Sequence, residues 1–170
     1  MLLVLVGRGG AGAHDLRRNA EQGRVYWDAA PSQWYAEPKR LAQLGYLEAR
    51  KQPGRTRART HYTLTAKGEE ALEEWVRTPA PLPRMQHESV VRLLAGDLVD
   101  PAAVLEGLPA MRVEVEAALG HLAAAREPWR EALPHRAHLL EVNDRYAVRV
   151  LEAQLAWLDE AEQVLRDAAS

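Results

Sequence analysis

Pro31-Ser-Gln-Trp-Tyr-Ala-Glu-Pro-Lys-Arg-Leu-Ala-Gln-Leu-Gly45 runs directly into Tyr46-Leu-Glu-Ala-Arg-Lys51. A Pro53-Gly54 pair then precedes Arg59-Thr-His-Tyr-Thr-Leu-Thr65. The first stretch reads as a helix. Pro31 stands in the first turn, where its missing N–H costs nothing, and Gly45 is a C-terminal stop. Trp34, Leu41 and Leu44 share one face at spacings of seven and three, while Ser32, Gln33, Tyr35, Lys39 and Arg40 fall mostly elsewhere and are free to face outward. Pro38 is the irregular residue: mid-helix it removes the hydrogen bond to the Trp34 carbonyl, at roughly 3 kcal/mol unless a kink relieves it. The next two stretches predict a hairpin turning at Pro53-Gly54, because the second alternates and is rich in Thr and Tyr. Arg50, Lys51, Arg55, Arg57 and Arg59 lie in and around it, and no acidic residue occurs from Lys51 to Gly68.

Outward from this centre the chain reads as more helix. Thr65 caps a helix over 66–77 with Leu72, Trp75 and Val76 as its apolar face. Upstream, His14-Asp-Leu-Arg-Arg-Asn-Ala-Glu21 is a short helix stopped by Gly23. The apolar run Met1 to Val6 is the end of a first helix or a short buried strand, which periodicity cannot separate. Downstream, residues 78–84 form a Pro-rich linker, stiff and extended. A short helix follows over about 85–94. Asp100-Pro101 starts another, with Asp as cap and Pro at the first helical position. Pro109 breaks or kinks it, and it continues to about Glu127, with Pro128 and Pro134 bracketing the next turn.

The last helix, about 134–167, carries two apolar stripes. One is Leu139, Val142, Tyr146, Val150, Ala153, Trp157, Ala161 and Val164; the second is Leu140, Ala147, Leu151, Leu155, Leu158 and Leu165. The preceding helix, with Val104, Leu108, Met111, Val115, Leu119 and Leu122, covers only one. The other is left for a second copy of the chain or, in a monomer, for the short helix near Met85. The expected fold class is mainly α (α+β), with domains over 1–77 and 85–170.

Net charge hides a division. Residues 1–67 hold 12 Lys and Arg against 5 Asp and Glu, a net of +7, and residues 68–170 hold 10 against 19, a net of −9. A basic half joined to an acidic helical half points to a polyanion partner. The absence of Cys excludes disulfides, thiolate metal sites and cysteine nucleophiles. No apolar run is long enough to span a membrane or serve as a signal peptide, so a cytoplasmic protein with no membrane partner is expected. Arg8 and Gly9-Gly10-Ala-Gly12 lack the spacing of a phosphate loop. His135-x-x-His138 has helical metal-ligand spacing, yet it sits in a turn with only Glu131 and Glu141 near, so surface histidines are expected. Glu69-Glu70 and Glu73-Glu74 read as a solvated helix face, and no nucleophile elbow occurs. Neither an enzyme nor a cofactor or metal is expected.

Helix, helix, basic helix, Arg-rich hairpin and helix is the order of a winged helix. His14-Asp-Leu-Arg-Arg, Trp27, Ser32-Gln-x-Tyr35-x-x-x-Lys39-Arg40-Leu41-x-x-x-Gly45-Tyr-Leu and Tyr62-x-Leu-Thr-x-x-Gly68 resemble the PadR family of transcriptional regulators. The resemblance is dense over 1–77 and architectural beyond. The chain departs from the family in carrying Ala13-His14 where Gly-Tyr is usual, and Pro38 where an aliphatic residue is commoner. The resemblance implies an N-terminal winged helix-turn-helix with a two-stranded wing and a C-terminal antiparallel helical hairpin for dimerisation. It further implies a homodimeric repressor, the family's majority habit, on a pseudo-palindromic double-stranded operator.

In such a reader Ser32 and Gln33 stand at the base edges. Tyr35, Lys39 and Arg40 suit the backbone, and Arg55, Arg57 and Arg59 the phosphates or minor groove. Many members release DNA when a planar or aromatic ligand enters near the dimer interface; here Trp129, Tyr146 and Trp157 are the candidate lining, with core aromatics as the plainer reading. The competing class is a winged-helix protein–protein adaptor, which needs no basic wing.

Overall fold

Apolar residues without a polar break make Leu2–Val6 a short helix, α1, that buries Val6. The structure, a computed structural model, describes every residue except 22, 24, 28, 54–57 and 170, and the side chain of Glu21. The chain divides into two units, Met1–Leu82 and Pro83–Ser170.

In the first unit α1 is followed by β1 (Ala11–Gly12), α2 (Ala13–Glu21), α3 (Gln33–Gln43), β2 (Leu47–Gln52), β3 (Arg59–Leu64) and α4 (Ala66–Arg77). β2 and β3 are the expected hairpin, in antiparallel register from Leu47 opposite Leu64 to Gln52 opposite Arg59. A third strand joins it. β1 pairs with the other side of β3, Ala11 opposite Tyr62, giving the order β1-β3-β2. Two residues show no alternation in sequence. They become a strand because Gly9 and Gly10, at φ +91 and +87, turn the chain back along β3 in a conformation that favours glycine. The core is Val6, Leu16, Ala20, Trp34, Leu47 and Tyr62. Burial there pushes the Tyr62 phenol above its ordinary pKa.

The helix α4 starts where Thr65 accepts from the Gly68 N–H at 3.1 Å, as the cap reading expects. Of its apolar face, Leu72 is half-buried but Trp75 and Val76 are exposed.

The second unit contains α5 (Glu88–Leu93), α6 (Pro101–Glu106), α7 (Leu108–Ala132), a single 3-10 turn at Pro134–Arg136 and α8 (Ala137–Ala168). Asp100 caps α6 through Ala102 N–H at 2.9 Å. The break near Pro109 falls at Gly107, and Pro109 sits in the first turn of α7, where it is harmless. Pro128, expected to bracket a turn, lies instead inside α7. The ladder resumes beyond it, with Leu133 N–H on the Trp129 carbonyl at 2.9 Å. Ion pairs on either side, Arg126–Asp144 at 2.7 Å and Arg130–Glu141 at 3.1 Å, hold that end of α7 on α8. With Arg112–Asp159 at 2.7 Å, they set an antiparallel register along the hairpin.

The two stripes of α8 differ in burial, although Ala161 of the first joins the core. Ala147, Leu151, Leu158 and Leu165 of the second are buried, and the core forms where Leu108, Leu158, Ala161 and Leu165 meet Val104, Leu105 and Met111. Leu139, Val142, Tyr146 and Val164 of the first are exposed. Among the described residues, no helix is long and apolar enough to cross a membrane.

Candidate nucleic-acid interface

α3 is placed by its apolar side, and that side differs from the sequence expectation. The buried face is Trp34 and Pro38 with half-buried Leu41; Leu44 is exposed. The Pro38 ring is among the most completely buried side chains of the chain, so it acts as a core hydrophobe in place of an aliphatic residue. The helix starts at Gln33, with Ser32 at its N-cap position, two residues later than Pro31 suggests.

With 3.6 residues per turn, this phase points Ser32, Ala36, Lys39, Arg40 and Gln43 away from the core, with Gln33 and Tyr35 on the flanks. All seven are exposed. Ala36 and Gln43 escape a reading that counts only hydrogen-bonding or charged side chains near the helix start. The signal that finds them is the helical phase once Pro38 is counted as apolar.

The far end of α3 is anchored. Gly45 takes φ +79, and Tyr46 N–H returns to the Leu41 carbonyl at 2.9 Å, closing a Schellman turn. Thr65 Oγ1 donates to the Gly45 carbonyl at 2.7 Å, and Lys67 Nζ donates to that of Leu44 at 2.8 Å. The Lys67 ammonium also lies 4.4 Å over the Tyr46 ring. A cation at a helix C-terminus meets the negative end of its dipole. Lys67 is thus a positioning residue that composition alone assigns to the generic basic surface. Thr65→Ala removes the cap of α4 and the bond to Gly45 together. We expect it to cost about 1 kcal/mol or somewhat more, measured by thermal unfolding, with Thr65→Ser restoring both bonds.

The basic groups fall into two kinds. Arg40 is held by Glu37, Nε lying 3.2 and 3.0 Å from the two carboxylate oxygens. Arg50 on β2 is held by Glu48 at 2.9 and 3.0 Å. Each carboxylate raises its arginine's pKa, chiefly by hydrogen bonding. Lys39, Lys51 and Arg59 have no acidic partner among the described residues. Arg59 is exposed at the start of β3. Arg55 and Arg57 lie outside the described residues. Thus α3 and the hairpin carry Ser32, Gln33, Tyr35, Lys39, Arg40 and Arg59 on exposed backbone positions of a single unit.

The three aromatic residues considered for an effector are not gathered in one place within the second unit. Trp157 is half-buried and edge-on to His87 at 5.3 Å. Tyr146 lies eleven residues earlier on α8, roughly 16 Å along the axis. Trp129 stands near the other end of the hairpin, with the Arg130 guanidinium 5.5 Å from its ring. Among the described residues, no group of three or more His, Asp or Glu side chains is arranged to hold a metal; His135 and His138 are exposed.

Residues 85–166 match the family model described as the virulence activator alpha C-terminal region. No curated protein matches the sequence significantly. Three solved structures superpose over nearly the whole chain. The PadR-like transcriptional regulator of Bacillus cereus is 17% identical, with TM-score 0.81, covering 98% of this chain and 96% of its own. Bacillus subtilis PadR in complex with operator DNA is 21% identical, with TM-score 0.79, covering 96% and 94%. The same protein in complex with p-coumaric acid is 20% identical, with TM-score 0.70, covering 97% and 96%.

The chain carries the PadR fold. In that fold the β2–β3 hairpin is the wing, α3 is the helix that precedes it, and the α7–α8 hairpin lies in the region matched by the virulence activator model. Sequence reasoning reached the fold class; β1, the true phase of α3 and the clamped arginines came from the structure.

Proposed function

We propose that the chain is a sequence-specific transcriptional regulator of the PadR type that binds double-stranded DNA as a homodimer and acts as a repressor in the cytoplasm. The observation that carries this is the exposed face of α3 beside a basic hairpin on a winged-helix fold. In this reading Ser32 and Gln33 meet base edges, Gln33 suiting adenine. Tyr35, Lys39 and Arg40 face the backbone or groove, and Arg55, Arg57 and Arg59 follow the phosphates. The structural relative from Bacillus subtilis with operator DNA supports the reading.

Gel-shift titration with DNA from upstream of the protein's own coding region tests it. Saturable nanomolar binding at physiological salt is expected, and binding that is only micromolar and salt-labile would sink the idea. Lys39→Ala with Arg59→Ala is expected to weaken binding to all sequences. The log–log salt dependence should become shallower by about 0.9 for each phosphate no longer neutralised; an unchanged slope removes these residues from the interface.

Self-association is supported by the exposed apolar residues Leu139, Val142, Tyr146 and Val164 of α8. A charge there, as in Val142→Glu, faces solvent in a monomer and an apolar partner in a dimer. Sedimentation is expected to shift toward the monomer with the helical content kept.

We also propose a planar or aromatic effector acting by population shift, since a ligand moves DNA affinity only if it prefers one of two states. Support comes from p-coumaric acid bound by the Bacillus subtilis relative. Tyr146 and Trp157 lie roughly 16 Å apart along α8, so a pocket using both of them needs the partner copy or a different set.

A further inference from the structure

Arginine has five N–H donors in a planar fork: one on Nε and two on each Nη. At Arg40 one edge of that fork is taken. Nε donates to the Glu37 carboxylate at 3.0 Å, and Nη2 lies 2.9 Å from Glu37 Oε2. Both Nη1 hydrogens and the second on Nη2 remain at the outer end. Two parallel donors in that position fit the O6 and N7 acceptors of guanine. Arg40 lies on the exposed face of α3 with its side chain 58% accessible, and Glu37 is half-buried at the edge of that face, so the outer end of the fork points away from the core. An exposed pair at this spacing adds little to stability. Its physical consequences are a guanidinium held in one orientation and a fixed negative charge on a face otherwise lined by Lys39 and Arg40.

We propose that Glu37 is the specificity-determining positioning residue of this surface: it clamps Arg40 side-on so that the outer end of the guanidinium reads a guanine in the major groove. This deepens the DNA-binding reading above and rests on it. The clamp orders the arginine before binding, so less freedom is lost on contact. The carboxylate disfavours close approach to phosphates where no guanine rewards it, which penalises wrong sequences rather than strengthening the right one. Arg50 and Glu48 on β2 share the side-on geometry, in contrast to Lys39, Lys51 and Arg59, which are suited to sequence-blind phosphate contacts.

The test selects binding sites for the full-length protein from a random duplex library. Affinities are then measured on the selected site, on the same site with each guanine replaced, and on random DNA. The wild type is expected to show one guanine per half-site whose replacement weakens binding about tenfold or more. Arg40→Lys keeps the charge but not the fork, so the guanine preference should vanish while the salt dependence stays. Glu37→Gln should tighten binding to random DNA and cut the guanine preference several-fold, with no further cut when added to Arg40→Lys. Undiminished guanine preference in either single variant overturns the clamp while leaving DNA recognition standing. A wild type that selects no sequence overturns both.

Discussion

Gly68→Ala is expected to lower the thermal midpoint of the first unit by several degrees or more, although alanine is ordinarily the better helix former. In an open helix the exchange gains about 1 kcal/mol. At Gly68 the added Cβ would land on the Tyr46 carbonyl oxygen, with Leu64 Cδ2 a further 3.3 Å neighbour, and the site is buried. The Tyr46 carbonyl is backbone and already accepts from Thr65 N–H at 3.2 Å, so it has no rotamer by which to retreat. Overpacking of this kind costs about 1–3 kcal/mol, and the clash outweighs the propensity gain. For a unit ending at Leu82, each kcal/mol shifts the midpoint by roughly 4–8 °C. The displaced backbone also carries the end of α3, through Thr65 on Gly45 and Lys67 on Leu44. DNA affinity should therefore fall with stability. An unchanged or raised midpoint refutes the close approach.

Leu158→Ala is expected to destabilise the second unit by about 2–5 kcal/mol. Its side chain is 0% exposed and sits among Leu108, Ala161 and Leu165. The surrounding helices cannot simply close on the void. Arg112 bridges α7 to both Asp159 and Glu162, at 2.7 and 3.0 Å, and holds the spacing beside the deleted side chain. Urea unfolding followed by circular dichroism measures the loss. Val142→Ala, on the exposed stripe of the same helix, is the control and should stay within about 0.5 kcal/mol at protein concentrations where the chain is monomeric. Equal losses at the two positions would mean that the stripes do not differ in burial as described.

Much of the fold is legible from residues close in sequence. The Thr65 cap, the stop at Gly45, the Asp100-Pro101 start and the alternation of Arg59–Leu64 each depend on a few neighbouring residues, and each appears where expected. The same local rule makes Pro128 a breaker and Pro38 a costly or kinking residue within its helix. Both lie inside helices, because packing of the Pro38 ring in the core, and ion pairs flanking Pro128, compensate the missing hydrogen bond. Counting Leu44 as buried follows from giving Pro38 no packing role. The arginines of the wing stand out as composition, but which of them a carboxylate holds depends on side-chain geometry.

By itself the sequence determined the order of the longer helices and of the β2–β3 hairpin, the basic and acidic halves and the presence of two apolar stripes on the last helix. These follow from local backbone preference and from periodicity, which need no knowledge of distant residues. Only the tertiary structure decided that Ala11–Gly12 completes the sheet, which face α3 presents, that Glu37 fixes Arg40, and which stripe of α8 the chain covers with its own α6 and α7. Those outcomes depend on which surfaces meet, and a residue's neighbours along the chain do not specify its neighbours across the core.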